Sequence, residues 1–474
     1  MHKSSHRNLI LATDSYKLSH HVQYPRGTES VYSYFEARAG ARFDSTVFVG
    51  LQHLIKEYLA GVVVDQDDIE EAAELAAMHF GTPEVFNRAG WEHIVRQHGG
   101  RLPIRIRAVA EGTPVPVSNV LMTVENTDQA CFWLTNFLET LLTHVWYPST
   151  VATLSHGVKQ VLRRHVEATG GDADALLPFM LHDFGCRGAA GMEAAGLGGL
   201  GHLVNFQGTD TLPAIALARS SYGAKSMPAF SVPASEHSTM TSWGEAGEVE
   251  AYRNMLESYP TGIVSVVSDS WDLLNAISEI WGKELKGEVL AREGRLVIRP
   301  DSGDPIETNL AAVRLIAERF GFELTATGHK RLHDSVRILQ GDGMRLDSID
   351  ALLEAASAEG WAAENWVFGM GGGLLQADVH RDVQRFAFKA SSAVVNGQGR
   401  DVFKRPATDP AKNSKRGRLA LVESADGTFE TIPEADLGER KNLLEPVFEN
   451  GEILRDQTWE DVVERAIRCR ARVC

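Results

Sequence analysis

Two glycine-rich clusters follow apolar runs near the middle of the second half of the chain. They are QGDG (Gln340 to Gly343) after SVRIL and GMGGG (Gly369 to Gly373) after NWVF. GMGGG has neither the lysine of a P-loop nor the spacing of a dinucleotide fingerprint, so neither of those functions applies. It reads instead as a cradle of backbone amides at a helix start, where N–H groups point at an anion. The other reading is that the glycines only permit tight turns. Two such clusters at adjacent strand ends favour phosphate.

Carboxylates stand beside these clusters. Asp301 lies in RPDSGDP two residues after Arg299, and Asp342 sits between Gly341 and Gly343. A carboxylate accepts two hydroxyl protons and so suits a ribose diol; each could equally cap the helix that comes after it. His237 closes AFSVPASEH next to Glu236, a position suited to chemistry at a strand end. His182 carries less weight and could simply orient its loop. In HDFGCRG, Phe184 stands among charged residues and glycines, where a core aromatic would be out of place. A ring in such a pocket stacks on a flat heteroaromatic ligand, and Arg187 nearby suits phosphate or carboxylate. The Gly/Ala-rich run Gly188 to Gly201 reads as a closely packed helix, and Met192 and Glu193 need no functional role.

Something must place these groups together. From about residue 150, apolar runs ending in polar clusters alternate with helical patterns: PFMLHDFGCRG, LVNFQGTD, AFSVPASEH, GIVSVVSDS, RLVIRPDSG, SVRILQGDG and NWVFGMGGG. The intervening helices are predicted over Ser238 to Glu257, Ser270 to Lys286, Asp304 to Phe320 and Leu346 to Ala358. Strands separated by helices pair in parallel, and about seven units favour a closed or nearly closed barrel. In such a barrel, catalytic residues gather at the C-terminal strand ends, where these clusters fall. Before it, Asp65 to His79 is predicted as an amphipathic helix, Arg101 to Val124 as strands and turns, and Asp128 to Trp146 as a long helix ended by Pro148. After it come a β-rich piece, RFAFKASSAVV, and a Lys/Arg-rich loop, Lys404 to Arg418. The expected fold is therefore α/β: an irregular (βα) barrel core with a β-rich α+β domain built from both chain ends. The expected divisions are 1–150, 151–384 and 385–474.

Bulk properties narrow the function. The 474 residues carry 47 Lys and Arg against 63 Asp and Glu, a net charge of −16, which disfavours nucleic acid as a partner. No stretch approaches 18 consecutive apolar residues, so no membrane span is expected. Met1 to Arg7 is polar and lacks the following apolar run of a signal peptide. Cys131, Cys186, Cys469 and Cys474 show no metal-ligand spacing, and the last two read as incidental. A reduced, cytoplasmic setting is expected, and no residue set is assigned as a resident metal site.

A series of strings runs in order through nearly the whole chain: ATDSYK, QYP, VYSYFE, TVENTD, WYPSTVAT, HDFG-x-RG, LVNF-x-GTDT, SVPA-x-EHST, VSVVSDS, IRPDSG, QGDG and GGGLLQ. Together they resemble the type II phosphoribosyltransferase family, and within it the branch acting on nicotinamide more closely than the branch acting on nicotinate. The resemblance implies a homodimer with an irregular α/β barrel and active sites shared across the subunit interface. It implies that Phe184 and a partner-supplied Tyr16 sandwich the pyridine ring, and that Asp210 accepts from the carboxamide N–H₂. Arg299, Asp301, Gly341, Asp342, Gly343, Gly371 and Gly372 would bind the phosphoribosyl moiety, with Arg187 also at the substrate. Arg38, Arg381 and Lys389 would be phosphate contacts from the partner. His237 matches a histidine phosphorylated by ATP, which is a co-substrate, with Asp269 orienting its imidazole. Mg²⁺ would accompany pyrophosphate.

The sequence departs from the family pattern at Cys186 (usually tyrosine), Met370 and Ala387 (usually serine), and by one extra residue between Gln376 and Arg381. The rival readings are the same transfer to nicotinate, which an acidic Asp210 disfavours, and a non-catalytic phosphate or nucleotide sensor on the same barrel. A sugar-phosphate isomerase or aldolase would want a strand-end lysine, which these clusters lack.

Overall fold

The computed structural model describes residues 8–406 and 413–468, so Cys469, Cys474 and the middle of the Lys404–Arg418 loop lie outside the described residues. The chain forms two compact units, one from residues 1–153, 217–225 and 380–474, the other from 154–216 and 226–379. No described helix is long and apolar enough to cross a membrane.

The first unit is built on a seven-stranded sheet to which both chain ends contribute. Thr28–Glu36 lies between Val120–Asn126 and Ala387–Val395, antiparallel to both. Ile104–Ala108 pairs in turn with Val120–Asn126 and with Glu445–Glu449. Ile104–Ala108 alternates buried and half-buried residues, as a strand with one covered face must. Helix Gln66–Phe80 begins at a capping box in which Asp65 and Asp68 satisfy each other's backbone N–H, and Gly81 ends it in the left-handed conformation.

The expected long helix over Asp128 to Trp146 is instead three short pieces, Gln129–Cys131, Leu134–Phe137 and Glu139–Thr143. The long helix is Trp146–Ala168, and Pro148 lies in its first turn. There a proline gives up no intrahelical hydrogen bond and its fixed φ already suits the helix. Pro148 therefore starts a helix where the sequence reading had it end one.

The second unit holds a six-stranded parallel sheet with spatial order Gly208–Thr209, Leu181–Asp183, Trp366–Met370, Val336–Gln340, Glu293–Arg299, Thr261–Val267. All its pairings are parallel. The seventh expected strand, AFSVPASEH, does not form as one. It runs as an extended segment that makes one bridge to each edge strand, Phe230 to Gly208 and Ala234 to Ser265. Pro233 has no N–H to donate, although its carbonyl accepts from Ser265 (2.9 Å), so a full ladder cannot form. These two bridges close the sheet into an irregular barrel. Of the predicted helices, Leu346–Ala358 forms over that range and Asp304 caps Pro305–Phe320. The other two are broken into shorter segments on either side of Glu245–Gly247 and Ala276–Glu284. Met192–Leu203 is the buried small-residue helix expected from the Gly/Ala run.

A buried polar junction ties helix to strands beneath the QGDG loop. Asn309, fully buried, donates from Nδ2 to Gln340 Oε1 (2.8 Å) and to the Pro305 carbonyl (2.7 Å), and accepts from Trp366 Nε1 (3.0 Å). Gln340 Nε2 then donates to the Asp342 carbonyl (3.0 Å). Removing Asn309 strands two buried polar groups, Gln340 Oε1 and Trp366 Nε1, each costing about 1–3 kcal/mol when unpaired. Asn309→Ala should therefore lower unfolding free energy by about 2–4 kcal/mol, read as a lower urea midpoint at unchanged m-value.

Candidate active site

The polar strand ends meet at one mouth of the barrel. Phe184 follows strand Leu181–Asp183 and is held by its N–H donating to the Met370 carbonyl (2.9 Å). Its ring packs against the backbone of the strand carrying Gly369: a Cβ at Gly369 would stand 2.1 Å from the ring. A Cβ on Gly341 would lie 3.4 Å from the same ring and 3.5 Å from Asp301 Oδ1. Ring, QGDG turn and Asp301 thus converge. Gly369 belongs to strand Trp366–Met370, so its absent side chain makes room for an aromatic. It is not part of an anion cradle, as the reading of GMGGG as a single cluster had it.

The rest of that cluster opens a helix of only one turn, Gly372–Leu375, with Gly371 before it. The N–H groups of Gly372 and Gly373 have no acceptor within the turn. An anion there would meet individual amides, since one turn carries little macrodipole. Asp342 is exposed and Gly343 has φ +66°, which a side chain would strain.

Asp269 is the hub of the neighbouring strand ends. Only 4% exposed, its carboxylate meets His237 Nε2 at 3.0 Å through Oδ1. Through Oδ2 it accepts the Asp301 N–H (3.1 Å) and the Ser302 hydroxyl (2.6 Å). A carboxylate only accepts, so it fixes the hydrogen on His237 Nε2 and leaves Nδ1 with its lone pair. His237 opens the short helix His237–Thr241 and is 47% exposed. Arg299 donates to Asp301 Oδ2 (3.1 Å) and to the Ser235 carbonyl (3.3 Å), while its buried Nε has no partner among the described residues.

Asp210 follows strand Gly208–Thr209, anchored by its N–H on the Asp183 carbonyl (3.0 Å), and its carboxylate takes a hydrogen bond from the Ser231 hydroxyl. Beneath it, Asp183 is fully buried. Burial pushes its carboxyl up to about 6, although Oδ1 accepts the Gly185 N–H (2.7 Å). His182 packs on Gly208, where a Cβ would come within 2.6 Å of its ring, and burial lowers its pKa. His182 therefore supports its loop. Arg187 is exposed in the turn Cys186–Gly188 that follows Phe184.

Phe184, Asp210 and Arg299 also line a cavity of about 610 Å³ that extends down the barrel to Arg295, Arg337 and Glu364 near the starts of their strands. Barrel interiors are ordinarily filled by side chains; here an open channel leads from the mouth. Neither the channel nor Ser231 was legible in the sequence. Ser231 lies inside AFSVPASEH, where the sequence reading put the chemistry at the closing His237.

Tyr16, Arg38, Arg381 and Lys389 belong to the first unit. Tyr16 is 55% exposed in the 3₁₀ segment Ser15–Val22, with the Lys17 ammonium 5.5 Å from its ring centre. Arg38 follows strand Thr28–Glu36 and donates to the Arg385 carbonyl (3.0 Å); Arg381 pairs with the adjacent Asp382 (3.2 Å). Lys389 lies across from Tyr34 on the paired strand. Its pKa is lowered first by burial, and Lys404, Arg38 and Arg381 act in the same direction against Glu139. Arg38 and Arg381 therefore lie near enough to Lys389 for their charges to act on it.

A parallel barrel whose strand ends gather an aromatic ring, carboxylates and glycine amides suits a phosphoribosyltransferase, and comparison agrees. Residues 179–452, more than half of the chain, match the nicotinate phosphoribosyltransferase (NAPRTase) family, and residues 8–106 match the nicotinamide phosphoribosyltransferase N-terminal domain. The chain belongs to the nicotinate phosphoribosyltransferase family. It is 49% identical, over 98% of its length and 99% of the relative's, to nicotinamide phosphoribosyltransferase of Xanthomonas campestris pv. campestris. It is 36% identical, over 97% of both chains, to the protein of the same name from Acinetobacter baylyi. The fold resembles nicotinate-nucleotide pyrophosphorylase from Pyrococcus furiosus (TM-score 0.62, 15% identity, covering 100% of this chain and 98% of that one). It also resembles human nicotinic acid phosphoribosyltransferase (TM-score 0.56, 15% identity, covering 98% and 94%). The chain is an enzyme of the pentosyltransferase class.

The clearance at Gly369 gives a direct test. Gly369→Ala forces the Phe184 ring away and should lower kcat/KM about 2- to 10-fold, the scale of a lost stacking contact. In the Phe184→Ala background the same change should cost little. A double-mutant cycle on transfer rates reads this non-additivity.

Proposed function

We propose that this enzyme transfers the phosphoribosyl group of 5-phosphoribosyl 1-pyrophosphate to nicotinamide, giving nicotinamide mononucleotide and pyrophosphate in NAD salvage. The observation that carries the choice of base is the Asp210 carboxylate at the mouth of the Phe184-lined channel. A carboxylate attracts an amide donor and repels a second carboxylate. The names of the Xanthomonas and Acinetobacter relatives agree with that choice.

In this reading the pyridine ring rests on Phe184, with its nitrogen toward the ribose anomeric carbon. Asp301, oriented by Arg299, accepts from the ribose diol, and the N–H groups of Gly341, Gly343, Gly371 and Gly372 hold phosphate oxygens, with Arg187 at the rim. The nitrogen attacks, the bond to pyrophosphate breaks, and an oxocarbenium-like transition state is stabilised by the surrounding carboxylates. Mg²⁺ would neutralise the leaving pyrophosphate; the exposed Asp342 carboxylate, which has no partner among the described residues, suits a cation that takes one or two carboxylates alongside substrate phosphates. ATP phosphorylates His237 at Nδ1, the nitrogen that Asp269 leaves free, and this favours transfer. Tyr16, Arg38, Arg381 and Lys389 serve the site of the other subunit in a cytoplasmic homodimer; the exposure of Tyr16 and the clustering of the three cations support that role.

Steady-state kinetics with both bases tests the assignment. Wild type should prefer nicotinamide, and Asp210→Ser should lower kcat/KM for nicotinamide about 10- to 100-fold while narrowing the preference. A wild-type preference for nicotinate would refute the base assignment. For the histidine, His237→Ala should retain slow transfer and lose stimulation by ATP; intact stimulation in that variant would refute the phosphohistidine.

A further inference from the structure

Away from the barrel, in the first unit, two imidazoles converge on one carboxylate oxygen. Helix Arg88–His98 carries His93 in its interior and His98 as its last residue. Asp128 follows strand Val120–Asn126. His93 Nε2 and His98 Nε2 each lie 2.7 Å from the same atom, Asp128 Oδ2. Their rings are inclined at 62° with centres 5.8 Å apart, so the two nitrogens approach that oxygen from different directions.

The carboxylate is fixed from behind. Asp128 Oδ1 accepts the Ala130 N–H (2.9 Å), and the Asp128 carbonyl accepts from Asn126 Nδ2 (2.9 Å) and the Cys131 N–H (3.0 Å). Oδ2 is thereby turned toward the imidazoles and away from its own backbone. The three side chains are 26%, 26% and 24% exposed, open to water on one side. A single histidine would suffice to tie the helix end to this turn. The second supplies what a tie does not need, a third donor atom, and all three atoms lie within 4.8 Å of one another.

We propose that His93, His98 and Asp128 form a binding site for a first-row divalent transition metal, with Zn²⁺ the fitting probe. Two imidazole nitrogens and one carboxylate oxygen suit Zn²⁺ and its neighbours, whereas Mg²⁺ and Ca²⁺ want oxygen alone. On binding, each imidazole takes the neutral tautomer with its hydrogen on Nδ1, and the Nε2 lone pair goes to the metal. For ligands at about 2.0–2.1 Å in tetrahedral array, the 2.7 Å nitrogen–oxygen separations open to about 3.3 Å, within reach of small side-chain rotations. The fourth position faces solvent and takes water. The metal pins the end of helix Arg88–His98 to the turn at Gln129–Cys131, a stabilising role separate from phosphoribosyl transfer.

Titration of the chelator-stripped full chain with ZnCl₂ by calorimetry tests this, alongside His93→Gln and His98→Gln, which keep a polar side chain on the helix. The expected result is one Zn²⁺ per wild-type chain at micromolar or tighter affinity, weakened at least about 10-fold in each variant. The wild-type thermal midpoint should rise by at least about 2 °C with Zn²⁺ and the variants' should not. Mg²⁺ in excess should not displace it. Equal Zn²⁺ binding by wild type and both variants, or no binding tighter than about 100 μM by wild type, overturns the site. Circular dichroism checks folding; if one glutamine variant loses its helical signal, the other and Asp128→Asn carry the comparison.

Discussion

The site turns on a single buried carboxylate with two faces. Asp269 holds the imidazole of His237 on one oxygen and the Asp301–Ser302 turn on the other. A charge that is 4% exposed is tolerated only when its lone pairs are met, so the helix start at His237 and the turn after Glu293–Arg299 must arrive together. This places His237 and Asp301 under one constraint, and Arg299, bonded to Asp301 and to the Ser235 carbonyl, closes the loop between them. In the proposed reaction the same carboxylate sets which imidazole nitrogen is nucleophilic and where the sugar-binding loop lies.

Steric room is the second constraint. The glycine at 369 lets the Phe184 ring approach the strand backbone more closely than any side chain would allow, and Gly341 lies at ordinary contact distance from the ring and Asp301. The network of Asn309, Gln340 and Trp366 then holds the QGDG turn in place from below, through the Asp342 carbonyl. Because the segment Phe230–Ala234 bridges the barrel edges without becoming a strand, the barrel closes around a channel.

The βα alternation and the clustering of polar strand ends were legible because each strand end carried its own local signature. Phe184, His237, Asp301 and Asp342 were singled out from their flanking residues, while Asp210, Asp269, Tyr16 and the basic trio were named through family resemblance. The structure brings Asp269 and His237 together across 32 positions in sequence, a contact no local pattern encodes. Pro148 misled because a proline ends one helix or opens another, depending on the residues after it. The AFSVPASEH strand failed because Pro233 limits pairing to single bridges. His93, His98 and Asp128 were invisible because a spacing of five between histidines is unremarkable until a carboxylate from another element lies between them.

The most direct test of the two-faced role of Asp269 is steady-state kinetics of Asp269→Asn, with phosphoribosyl pyrophosphate as the varied substrate, with and without ATP. Asparagine keeps one acceptor oxygen and turns the other into a donor, so it cannot accept from both an imidazole Nε2–H and the Asp301–Ser302 turn. The two-faced role predicts loss of ATP stimulation together with a raised KM for phosphoribosyl pyrophosphate. Loss of ATP stimulation alone, with that KM unchanged, would contradict it.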